Sequence, residues 1–193
     1  MTQQASIIGA ESFLRGLPRA YLERLASMSR HLSLPAQSRL VDEEMPAGRF
    51  WIIDVGQVAL DALVPGAGRV AIEKLGRGDA VGLSWLDPPY QFRYGAVTTQ
   101  PMQAFEFDAA QVRAGCQDDP AFGFAVLDPF LAVAYHRLQV TRARLLRALA
   151  ALPDAVPRDG GPLGRGYRGS GLSRFQCRTT DAIQCLSASW SRL

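Results

Sequence analysis

Apolar positions in this chain follow three successive rhythms. Between residues 11 and 30 they recur at helical spacing, at Leu17, Tyr21, Leu22, Leu25 and Met28, with Pro18 where a first helical turn tolerates a missing N–H. That spacing predicts a short amphipathic helix. From Leu32 to Phe107 the pattern shortens to β-type runs cut by Pro, Gly and Asp: Ser38–Val41, Phe50–Val55, Gln57–Val64, Val70–Leu75, Gly95–Thr99 and Met102–Phe107. A β-rich core of about eight strands is expected. Gly56, between two of these runs, suits a turn that needs positive φ. Asp108 is placed to cap a short helix at Ala109–Ala114, and Asp119-Pro120 opens a long helical stretch over about 121–149.

Within that stretch Leu127, Leu131, Ala134, Leu138, Thr141, Leu145 and Ala148 are spaced alternately by four and three residues, the heptad pattern of a coiled-coil seam. The pattern predicts a homodimer with Leu131, Ala134, Leu138, Thr141 and Leu145 in its interface. Pro129 should kink this helix or delay its start, because it lacks a backbone donor and crowds the preceding turn. The seam is therefore read from Phe130 onward. Residues 153–171, rich in Gly, Pro and Arg, hold too little apolar surface to offset ordering entropy, so 151–193 is read as a disordered Gly/Arg/Ser-rich tail. From Leu172 no period is sustained. A flexible tail, an out-of-frame end to the gene and an RNA-binding Arg/Gly tail are the readings open for it.

Composition bounds the function without naming it. The chain of 193 residues, 48% hydrophobic and 20% charged, has room for one domain with a core plus an appendage. Residues 1–150 carry 15 Lys+Arg against 15 Asp+Glu, so the net charge of +3 arises in the tail and does not make a nucleic-acid-binding face of the domain. Cys116, Cys177 and Cys185 are odd in number and widely spaced, which fits reduced, incidental thiols and no metal site. No basic leader precedes an apolar segment, and no window is long enough to span a bilayer, so a cytoplasmic protein is expected. His31 and His136 stand alone, and no nucleophile-elbow, zinc-protease or Walker motif is present, so catalytic residues are not expected.

The chemistry concentrates in Gly78-Asp79-Ala80-Val81-Gly82-Leu83-Ser84-Trp85, followed through a Pro88-Pro89-Tyr90 loop by Arg93-Tyr94. This segment resembles the phosphate-binding cassette of cyclic-nucleotide-binding domains of the catabolite-activator (Crp/Fnr) type, in which Gly-Glu-Leu opens a short helix and an Arg follows. Residues 12–150 are similar to such a domain in the order of their elements. Arg137-Leu138-Gln139-Val140-Thr141 is similar to the segment of the family's long helix whose Thr contacts adenine. The resemblance implies an α+β fold: a β-roll (jelly-roll-like, 32–107) with a short N-terminal helix and a long C-terminal dimerisation helix.

The resemblance also implies a ligand site at Val81, Gly82, Leu83, Ser84, Trp85, Arg93, Tyr94, Thr141 and Arg142. A helix start near Gly82, the Ser84 hydroxyl and the Arg93 guanidinium would hold an anion. Leu83 stands where the family has the Glu that accepts from a ribose hydroxyl, so cyclic AMP should bind weakly or not at all. Tyr94 stands where a small hydroxyl residue is common and narrows the site, while Arg142 adds a stacking or anion-pairing option. Trp85 reads equally as ligand contact or as core. The cofactor expectation is thus a cyclic nucleotide or another phosphate-bearing effector. The output is either a ligand-responsive sensor acting through an unknown protein partner, or a ligand-independent dimerisation or docking module. The 43 residues after Ala150 are too few for the winged helix-turn-helix of DNA-binding relatives, so no DNA binding is expected from this chain alone. A truncated regulator of that type is the remaining reading.

Overall fold

Phe50-Trp51-Ile52-Ile53 is apolar without alternation, and the structure, a computed structural model describing residues 3–150, shows why: both faces of its sheet are covered. This run lies in β3 (Arg49–Val55), in the sheet ordered β1 (Ser29–Leu34), β8 (Met102–Asp108), β3, β6 (Ala80–Val81). The second sheet is ordered β2 (Arg39–Val41), β7 (Gly95–Thr98), β4 (Val58–Val64), β5 (Gly68–Leu75). All the pairings are antiparallel. Side chains of β3 alternate between two cores. Trp51 and Ile53 meet Val58, Leu60, Val81 and Phe92 in one core, which draws on both sheets. Phe50 and Ile52 join Phe105 and Phe107 in the other, which the helices cover.

Four helices complete the described part: α1 (Gln3–Glu11), α2 (Arg19–Ser27), α3 (Ala109–Asp118) and α4 (Pro120–Ala150). The chain divides into two compact units, Met1–Leu146 and Arg147–Leu193, and every strand among the described residues belongs to the first. The tail from residue 151, with its expected disorder, lies outside the described residues. On the helix side, Phe50 stacks between Trp85 and Phe107 at 4.7 Å from each, and Phe130 of α4 meets both Phe50 and Trp85 edge-on. Each such aromatic pair adds about 0.5–1.5 kcal/mol beyond the burial of its area.

Several elements depart from the sequence pattern. The helix expected to reach Arg30 stops at Ser27, because Ser29, Arg30 and His31 pair with Phe107, Glu106 and Phe105 of β8. The helix α1, which the pattern did not predict, is carried by packing: Ala5 and Ile8 are buried, and Gly9 lets the helix approach Leu22 so closely that a Cβ would lie 2.7 Å from its Cδ1. Pro129 does not delay α4, which begins at Pro120 and includes it. The start is fixed by Asp119, whose Oδ1 accepts from the Phe122 amide at 3.1 Å, and by burial of Phe122, Val126 and Phe130. Asp108 caps α3 as expected, accepting from the amides of Ala110 and Gln111. Gly56 has φ +98°, and a Cβ there would overlap the Pro101 carbonyl.

Candidate functional site

The cassette leaves the first sheet at β6 and turns at Gly82, whose φ of +88° puts it in the left-handed region. A Cβ at Gly82 would also lie 3.1 Å from Phe92 Cε1 and 3.3 Å from the Arg49 carbonyl, so glycine serves both the turn and the close approach. Beyond Gly82 the short helix expected there is a single 3-10 turn, Leu83–Leu86. A single turn sums few peptide dipoles, so most of any attraction for an anion must come from side chains.

Ser84 and Arg93 are brought together across the intervening loop: the Arg93 amide donates to Ser84 Oγ at 3.3 Å. The hydroxyl keeps its own proton to donate. The Arg93 side chain is exposed and, among the described residues, forms no ion pair, so its charge faces outward uncompensated. Tyr94 beside it is 49% exposed. The loop is pinned against residues 44–47 by backbone bonds, with the Ala47 amide donating to Tyr90 O at 2.6 Å and the Phe92 amide to Met45 O at 2.9 Å.

Three of the expected ligand residues turn inward. Val81 is buried in the core between the sheets, Leu83 packs against the helix-side core, and Trp85 is 1% exposed within it. Of the two readings open for Trp85, the structure places its ring in the core. Among the described residues its Nε1–H has no hydrogen-bond partner, a cost set against the stack on Phe50. Thr141 and Arg142 lie exposed on α4, and no hydrogen bond or ion pair joins them to the cassette.

Two arginines to which the sequence assigned no role hold the cassette instead. Arg137 of α4 donates from Nη2 to Ala80 O at 2.6 Å, just before the turn. Arg113 of α3 donates from Nη1 to Trp85 O at 3.2 Å and lies over the Tyr90 ring, 4.3 Å from its centre. Arg137 was visible as the first residue of the Arg-Leu-Gln-Val-Thr resemblance; nothing local distinguishes Arg113. Burial holds the Arg137 pKa below its usual value, with Glu73 and Asp79 acting against the shift.

No model of a known protein family matches the chain, and no curated protein matches it. Solved structures do. A cyclic nucleotide-binding domain from Methylobacillus flagellatus is similar with a TM-score of 0.67 at 18% identity, over 79% of this chain and 85% of that one. The N-terminal domain of a transcriptional regulator from Streptomyces coelicolor A3(2) gives 0.56 at 16% identity, over 77% and 98%. The catabolite activator protein of Thermus thermophilus gives 0.59 at 16% identity, over 70% of this chain and 62% of its own length. What this chain shares with the three is the fold.

Proposed function

With the β-roll and long C-terminal helix of a cyclic-nucleotide-binding domain as its fold, we propose that this chain is a non-enzymatic regulatory domain. It binds a small phosphate-bearing effector at Gly82–Ser84 and Arg93 and passes the event to α4. The observation that carries this reading is the exposed Arg93 guanidinium, without a carboxylate partner, whose amide is tied to the Ser84 hydroxyl. A guanidinium beside a hydroxyl donor suits phosphate oxygens. Leu83 offers no acceptor to a ribose, a loss of about 1.5–3 kcal/mol or roughly ten- to a hundredfold or more in affinity, so the effector is not unmodified cyclic AMP at high affinity. Coupling runs through Arg137, which links α4 to the carbonyl preceding the turn. An effector favouring one seating of that helix shifts the population toward it.

The seam residues Leu131, Leu138 and Leu145 are 67%, 45% and 58% exposed, which supports a homodimer as the form that responds. Thermal unfolding of the protein with cyclic AMP, cyclic GMP and linear nucleotide phosphates tests the reading. A ligand at about 100 times its Kd adds about 2.7 kcal/mol of stability. The expected result is a saturable shift with at least one phosphate compound that Arg93→Ala abolishes, while the variant alone stays within about 0.5 kcal/mol of the parent. A shift that persists in Arg93→Ala, or none with any compound, refutes the cassette reading. The latter result favours a ligand-independent docking module, for which the buried Trp85 and Phe92 rings are the supporting observation.

A further inference from the structure

A cleft of about 460 Å³ opens between the β5–β6 segment and α4, and no residue from Val81 to Tyr94 lines it. Asp79 at the start of the cassette lines it, but the anion-holding residues Gly82–Ser84 and Arg93 do not. Its volume falls within the roughly 300–1,000 Å³ of small-molecule sites. One part of its lining is apolar, with Phe13, Leu75, Pro129, Val133 and Val140. The rest is polar, with Glu73, Lys74 and Asp79 from the strand side and His136, Arg137 and Arg144 from the helix.

Arg137 dominates the chemistry. Its side chain is only 15% exposed, yet among the described residues only one of its five N–H donors is used, on Ala80 O. Its nearest carboxylate, Glu73 Oε1, is 3.9 Å away, beyond hydrogen-bond reach. A half-buried guanidinium that turns most of its N–H groups to an open cleft, with few protein acceptors, favours an anion that can enter. The anion must be weakly charged, because Glu73 and Asp79 also face the cleft. Glu73 is partly neutralised by Arg137, and Asp79 Oδ2 accepts from the Gly76 amide at 2.8 Å. Arg144 is engaged by its bond to Ile72 O at 3.2 Å, leaving Lys74 and His136 at the rim. A phosphate dianion meets two carboxylates here; a monoanion with an apolar body meets Arg137 and the apolar wall.

We propose that this cleft is a second small-molecule site, taking a monocarboxylate with a ring-sized apolar body, its carboxylate on Arg137 and its ring against Phe13, Val133 and Val140. Because Arg137 also holds Ala80 O, such a ligand bears on the strand that leads into the cassette.

The test is an NMR titration of the full chain with phenylacetate, using phenylacetamide as the uncharged control. Saturable shifts at Val133, His136 and Val140 are expected, with phenylacetamide about tenfold weaker or worse. Arg137→Met, which keeps length without charge, should weaken phenylacetate about tenfold or more. Val133→Trp, which fills the cleft from a half-buried position, should abolish binding even if Arg137→Met fails to fold. The proposal is overturned by any of four results: no saturable shift up to about 10 mM, too weak for a specific site; equal affinity for phenylacetamide; unchanged binding in Val133→Trp; or shifts confined to Gly82–Tyr94 that vanish in Arg93→Ala.

Discussion

Asp61 is a carboxylate at the fourth position of β4, in Val-Ala-Leu-Asp-Ala-Leu-Val, with a side chain only 8% exposed. It accepts from both terminal nitrogens of Arg39 and from Arg69 Nη1 at 3.2 Å, while Asp42 Oδ1 accepts from Arg39 Nε at 2.9 Å and Arg69 Nη2 at 2.8 Å. Hydrogen bonding from Arg39 holds the Asp61 pKa below the ordinary carboxylate value. Because the folded-state pKa is the lower one, the stability this provides is present above the unfolded value. It is lost as pH falls through the folded value, which places the loss below about pH 4. Asp61→Asn should cost about 2–3 kcal/mol at neutral pH by urea unfolding, and should flatten the fall in stability below pH 4. An undiminished acid transition in the variant would assign that fall to other groups. The network also fixes Gly95, directly after Arg93-Tyr94: a Cβ there would overlap the Arg39 guanidinium and lie 2.5 Å from Asp61 Oδ1. None of this was legible in the sequence, where a polar residue in an alternating strand is unremarkable and its partners lie 22 and 8 positions away.

At the scale of elements, legibility followed how local the determining forces are. The long helix α4 could be read because a three-and-four spacing is written in consecutive turns, and the structure leaves Leu131, Leu138 and Leu145, the residues expected to form a seam, exposed on it. The turn at Gly82 and the return at Arg93 were legible through the resemblance of this segment to a phosphate-binding cassette. Trp85 was not, since its burial depends on Phe50 and Phe130, far away in sequence. Nor was α1, which has no strong stripe of its own and is held by α2. The seam makes its own prediction. Leu138→Asp should convert the expected dimer to monomer by sedimentation analysis, since a charge at a seam position must be desolvated on pairing. A dimer that survives Leu138→Asp would place the subunit contact elsewhere than α4.

Over the compact unit Met1–Leu146, α4 is held to the roll by two different kinds of contact. Its first three turns contribute Phe122, Val126 and Phe130 to the helix-side core, where all three are fully buried. Higher up, Arg137 and Arg144 reach the carbonyls of Ala80 and Ile72, and Val140 between them lines the cleft. Apolar burial and arginine–carbonyl bonds differ greatly in worth. Phe130→Ala should cost about 3–5 kcal/mol, whereas losing the exposed Arg144 bond should cost about 0.5–1.5 kcal/mol. The helix is thus anchored firmly at its base and lightly where it passes the cassette. An effector worth a few kcal/mol can then change the upper contacts without unfolding the base. Hydrogen exchange in the monomeric Leu138→Asp variant should show this directly, with strong protection of the Val126 and Phe130 amides that falls progressively beyond Arg137. Removing Arg137 should lower protection above residue 137 while leaving the base unchanged. Uniform protection along the helix would instead mean that α4 opens only with the whole roll, and would leave the cassette without a separable element to move.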